Sequence, residues 1–308
     1  MPHWMKALKQ LGKVGPTRAD AYRSANINAI RAALNGQGPH GTRTDPNRGM
    51  RVVVNLAARH AVTFLDTLSG RPAHGRYLNS SGIRKVAGQP LRSTTVRSRV
   101  DGVVSKVASM FGRTVARHEI HYGAAELNGT GISYFGDVCI VLKPDEVPAG
   151  TLTLLRNSYD LTVAPLFGMI YQPGNTAMTD ANATAEMADW AGQWPNDARD
   201  IAVVKILQHA PPSERRLTTG QISKGVLDDE DYIEVVLEEG FTPSEAQELR
   251  ISADDVAREA QIADRQLRGP SPTAAEMIWR YRRRQVDRSG RRERLPCRVV
   301  THVGRSRT

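Results

Sequence analysis

Apolar and polar positions recur along this chain with two different periods. Between Thr17 and Asn35, Ile27, Ile30 and Leu34 fall on one helical face. Thr17 and Asp20 make a capping-box-like start, and Asn35-Gly36 supplies a stop, which predicts a helix over 17–35. A Gly/Pro/Asn-rich stretch follows. Arg51-Val-Val-Val-Asn-Leu56 is then rich in β-branched residues behind Gly49, as a strand would be. A second helix is predicted from about Ser93 to Phe111, with Val96, Val100, Val103, Val107 and Met110 on its apolar face. The central region shortens its period. Ile132 to Leu142 and Thr151 to Leu155 read as neighbouring strands joined by a turn-rich link.

Further along, residues 176–192 are Ala-rich and read as helix, while Ile201 to Leu207 fits either a strand or a buried helix. Tyr232-Ile-Glu-Val-Val-Leu237 is a strand with Ile233, Val235 and Leu237 on one face and Tyr232, Glu234 and Val236 on the other. Thr242-Pro-Ser-Glu245 offers an N-cap, a proline at the first helical position and a glutamate at the third, so a short helix is expected. Ser252-Ala-Asp-Asp255 starts a helix running to about Gln266. A basic amphipathic helix covers roughly Pro272 to Gln285, and the remaining Arg-rich tail reads as disordered.

At 308 residues, with 40% hydrophobic and 24% charged positions, the chain can build one or two cored domains at ~150 residues each. No apolar run approaches the ~18 residues of a membrane-spanning helix. The basic N-terminus lacks the apolar stretch of a Sec-type signal, so a cytoplasmic location, or export by a specialised route, is expected. Two cysteines, Cys139 and Cys297, suit neither a disulfide framework nor a four-thiolate zinc site.

Charge becomes informative once it is located. Residues 265–308 hold 13 arginines against three acids, a net +10 that equals the net charge of the whole chain. Residues 228–264 hold 13 acids against Arg250 and Arg258. The basic segment suits contact with a polyanion or, equally, with the acidic segment before it.

Several motifs fail their context tests. Gly36-Gln-Gly-Pro-His-Gly41 follows a helix instead of a strand and contains a proline, unlike a dinucleotide loop. His118 and His121 are three apart, whereas a helical zinc pair needs four, and no metal is expected. No Gly-x-Ser-x-Gly elbow occurs. What stands out is Glu234, a carboxylate inside an apolar strand; by pattern alone it would face water from a sheet edge.

Three ordered blocks give Glu234 another meaning. They are Arg51 to His60 with Gly75 to Gly82, then His121 to Gly123 and Tyr134 to Leu142 with Leu152 to Ser158, and finally Tyr232 to Gly240 with Ser244 to Ile251. Together they resemble the ADP-ribosyltransferase superfamily, in its bacterial toxin and effector branch. The resemblance implies an α+β fold with a split β-sheet core and flanking helices. Its divisions would be a helical N-terminal extension (1–48), a transferase-like domain (49–264) and a basic C-terminal helix and tail (265–308). It implies NAD as co-substrate, a protein or nucleic-acid acceptor, and Glu234 as the catalytic residue that stabilises an oxocarbenium-like transition state. Arg59 or His60 would anchor NAD, Ser133 and Ser158 would support the glutamate, and Tyr134 would stack on nicotinamide. The chain departs from the family in having Tyr232 two residues before the glutamate, where an acid is usual, and no Ser-Thr-Ser triplet. The alternatives are a non-enzymatic binder of nucleic acid or anionic surfaces, and a degenerate transferase fold kept for interaction.

Overall fold

The computed structural model describes residues 18–36, 49–86, 88, 107, 115–116, 118–155, 157–158, 191–209, 217–228 and 231–301. The expected helix over 93–111, apart from residue 107, the glycine loop after Gly36 and most of the Ala-rich 176–192 stretch lie outside these residues.

The described chain is a mixed α/β structure built on one eight-stranded sheet. Its strands are β1 (Arg51–Leu56), β2 (His121–Glu126), β3 (Val138–Leu142), β4 (Leu152–Leu154), β5 (Ala191–Gln193), β8 (Glu234–Leu237), β9 (Ala246–Ser252) and β10 (Cys297–Val300). Their order is β10-β9-β3-β1-β2-β8-β4-β5, antiparallel except for the β9/β10 pair. A two-stranded ribbon, β6 (Leu227–Asp228) with β7 (Asp231–Tyr232), stands apart. Among the described residues seven α-helices accompany the strands: α1 (Arg18–Leu34), α2 (Ala58–Phe64), α3 (Ser80–Val86), α4 (Asn196–His209), α5 (Thr219–Val226), α6 (Ala253–Arg268) and α7 (Ala274–Arg292).

Strand alternation sorts side chains onto two unequal faces. The first face carries Val52, Val54, Ala125, Ile140, Val235 and Leu237, and packs against Ile30 and Leu34 of α1, Ala61 and Phe64 of α2, Ile201 of α4 and Val286 of α7. The ambiguous Ile201–Leu207 run is therefore a helix segment buried all round, part of α4. The second face carries Val53, Ala124, Cys139 and Val141, covered by Ile132, Leu227 and Tyr232.

β1 and β2 pair only from Arg51/Glu126 to Val53/Ala124. Beyond that point β1 continues beside β3 through Leu56, while the first half of β2 stays with β8. The two strands thus diverge in the middle of the sheet, although hydrogen bonding keeps the eight strands in one order.

Three expectations are corrected here. Only Val138–Leu142 of the 132–142 run is strand, since residues 133–135 form a turn. β3 and β4 are not neighbours, because β1, β2 and β8 lie between them. The segment after Gln285 is not without structure: α7 runs to Arg292, Val286 and Leu295 are buried, and β10 joins the sheet edge beside β9. The division placed at residue 265 accordingly falls inside α6.

Candidate functional site

Tyr232 to Leu237 does not run as a single strand. The ladder breaks at Ile233, whose N–H donates to Val226 O and whose carbonyl accepts from Ala125 N, so β7 turns out of the plane and β8 begins at Glu234. Residue 234 pairs with Ala124 on one side and Leu154 on the other. It is therefore interior, and the edge-strand expectation is overturned: Glu234 is 3% exposed. Such a carboxylate is costly to desolvate unless hydrogen-bonded. The Ser158 backbone N–H donates to its Oε1 at 3.2 Å. Ser158 is itself buried, so that predicted support does meet the glutamate, and the bond comes from the main chain.

Around Glu234 the second face gathers further polar groups. Tyr122 lies on the same face, two positions along β2 from Ala124. Its hydroxyl is buried without a hydrogen-bond partner among the described residues. Burial and the nearby Glu234 charge push the phenol well above its ordinary pKa. Glu126 is fully buried and accepts from Leu127 N at 2.8 Å and Gly131 N at 3.2 Å. Arg51 stands opposite Glu126 at the start of β1.

Tyr134 is surface-exposed and meets Phe135 edge-on at 5.3 Å, and Phe135 meets Tyr232 at 6.5 Å. An aromatic path thus runs from solvent to the residue two before Glu234. Ser133 sits in the same turn, half-buried. Arg59 and His60 lie elsewhere. Both are exposed on α2, where Arg59 Nε donates to His60 Nε2 at 3.1 Å. Burial, then Arg59 and Arg282, hold His60 below its ordinary pKa. Glu234 is level with Val53, and α2 begins five residues further along β1 and two strands across. The separation is roughly 16–20 Å at ~3.3 Å per residue and ~4.8 Å per strand. The structure does not bring these two residues to the carboxylate. Compared with known proteins, the chain matches no family model, no curated protein and no solved structure.

Arg51, Tyr122, Glu126 and Phe135 are the site residues that sequence reasoning missed. For Arg51 the signal was present, because it shares the parity of Val53 and therefore its face. For Tyr122 and Glu126 the signal was the same alternation along β2. His118 and His121, the near-miss metal pair, are separated by their environments. His118 contacts Lys85 Nζ at 2.6 Å, whereas His121 is buried with Nδ1 at 2.9 Å from Glu119 O. Among the described residues no group of three or more His, Cys, Asp or Glu could hold a metal ion. No described helix is long and apolar enough to cross a membrane.

Chemically, the cluster offers a desolvated carboxylate fixed by a backbone donor, a phenol hydroxyl beside it and an arginine on the same face. Such a carboxylate interacts strongly with positive charge developing close to it.

Proposed function

We propose that this chain is a NAD-cleaving mono-ADP-ribosyltransferase whose catalytic residue is Glu234. The observation that carries the reading is the placement of this glutamate, desolvated, on an interior strand and oriented by the Ser158 amide. An apolar strand has no structural need of a carboxylate at that position, and burying one is costly unless it is hydrogen-bonded. The resemblance blocks also fall on described elements in chain order: β1, then β2, β3 and β4, then β8 opening on the glutamate, Gly240, a 3₁₀ turn over Pro243–Glu245 and β9, although β3 and β4 are not paired with each other as the resemblance implies.

In this reading the nicotinamide–ribose bond of NAD breaks, nicotinamide leaves with the bonding pair, and positive charge builds at the ribose carbon. Glu234 faces that charge and holds a ribose hydroxyl. The acceptor then attacks the carbon and loses its proton. Arg51, on the same face, is placed better than Arg59 to meet a phosphate of the bound dinucleotide. The acceptor is a protein or nucleic acid, and the protein acts as a toxin or effector.

The test is release of nicotinamide from NAD by purified protein, with and without cell lysate. Glu234→Gln keeps the side chain's size and removes its charge, so turnover should fall about 10²–10³-fold while NAD affinity changes far less. Full turnover in that variant removes the site assignment. A wild type that neither binds nor cleaves NAD removes the reading and leaves a module for interaction.

A further inference from the structure

A second site stands at the far end of β1. Ala57, Ala58 and Arg59, with Asp137 and with Ala275, Ile278, Trp279 and Arg282 of α7, line a pocket of about 450 Å³. That volume lies within the range of small-ligand sites, ~300–1,000 Å³. The pocket's one acid is already satisfied. Asp137 Oδ1 accepts from Ala58 N and Oδ2 from Trp279 Nε1, both at 2.8 Å.

The arginines are not satisfied in the same way. Five of the ten arginines of α6 and α7 are tied to carboxylates: Arg265 to Glu276, Arg268 to Asp264, Arg284 to Glu259, Arg291 to Asp287 and Arg292 to Asp66 and Glu293. Arg59 and Arg282 are exposed and have no carboxylate partner among the described residues. Among the described residues, Arg59 spends only its Nε, on His60. Arg258 and Arg283 lie 4.8 Å and 5.9 Å from the Trp279 ring centre and add to the positive potential. Two exposed guanidiniums lining a pocket whose other walls are mostly apolar match an anion that carries a non-polar body.

We propose that this pocket binds a small organic phosphate of mononucleotide size. Arg59 and Arg282 hold the phosphate, and its ring lies against Ala57, Ala58, Ala275 and Ile278. The site is separate from Glu234 and does not depend on NAD cleavage.

Isothermal titration of the full chain with 5′-AMP, adenosine and inorganic phosphate tests this. Saturable one-to-one binding of 5′-AMP is expected, at least tenfold tighter than either fragment. Arg59→Gln and Arg282→Gln should each weaken it tenfold or more with an unchanged circular dichroism spectrum, and Glu234→Gln should leave it unchanged. Four results overturn the proposal: no saturable binding, wild-type affinity in Arg282→Gln, inorganic phosphate binding as well as 5′-AMP (an adventitious ion only), or loss of 5′-AMP binding in Glu234→Gln. The last would move the ligand to the carboxylate, so failure here and failure of the transferase reading give different patterns.

Discussion

Glu234 puts a charge inside an apolar strand, buried between two neighbouring strands. Strand pattern cannot tell an interior strand from an edge. What buries Glu234 is pairing with β2 and β4, which lie about a hundred residues earlier in the chain. Its neighbours allow two predictions. The Tyr122 hydroxyl has no partner to lose among the described residues, so Tyr122→Phe should leave unfolding free energy within about 1 kcal/mol of wild type. If that hydroxyl serves a ligand beside Glu234, kcat/KM for NAD should fall about tenfold, whereas a purely packing role leaves the rate unchanged. The second concerns pH. His121 is buried, and burial is the largest cause holding its pKa below the ordinary 6.5. As pH falls through 6.5, the unfolded chain takes up the proton before the folded one does. The stability His121 supports is therefore complete above that pH, and is lost progressively down to the lowered folded value. Urea midpoints between pH 7.5 and 5 should decline, and His121→Gln should flatten the slope whatever it does to the midpoint itself.

Between residues and whole elements, the turn after β2 shows why strand boundaries were misread. Residues 132–137 have strand-like composition, but Asn55 at the end of β1 holds them as a turn. Its Nδ2 donates to Thr130 O at 2.7 Å and Gly136 O at 3.1 Å, and its Oδ1 accepts from Ile132 N at 2.9 Å. Two glycines permit the close approach. A Cβ at Gly131 would lie 2.1 Å from Asn55 Oδ1, at a positive φ, and one at Gly136 would lie 2.0 Å from the Leu56 carbonyl carbon. A side-chain clamp between segments more than seventy residues apart leaves no periodic trace. Helices were easier to place, because their signals are local: Thr273 with Glu276 is a capping box that starts α7, and Ser252 caps α6. Asn55→Ala should remove about 2–4 kcal/mol through three lost bonds to backbone groups. Hydrogen exchange should accelerate at residues 130–136 while β3 amides stay protected. Equal acceleration in β3 would mean that the clamp supports the sheet and not the turn alone.

At the scale of the molecule, charge segregation proves to be partly internal. The acidic α6 and the basic α7 lie side by side, joined by the Arg284–Glu259 and Arg265–Glu276 pairs. Arg298 of β10 reaches Glu248 at 3.3 Å, which is also paired with the buried Arg250 at 2.7 Å. Composition left two destinations open for this basic segment, and these contacts show that much of its charge faces the chain's own acids. They also change what the segment is for. α7 packs on α2, Arg292 Nη2 donates to Leu65 O at 2.8 Å, and β10 extends the sheet beside β9. The sequence hid this because arginine-rich stretches read as solvated, while long guanidinium side chains cover apolar surface with their stems and satisfy carbonyls with their heads. Ending the chain at Gly269 would remove Val286 and Leu295 from the core, strip the edge strand from β9 and leave Glu248 without Arg298. Uncovering two large core side chains alone costs about 3–6 kcal/mol, a sizeable share of the ~5–15 kcal/mol typical of a folded protein. The truncated chain should therefore lose its cooperative thermal transition, or unfold at least 10 °C lower by calorimetry, with weakened polyanion binding a secondary effect. A truncated protein that melts cooperatively at the wild-type temperature would show the segment to be an appendage, and the packing of α7 on α2 to contribute little.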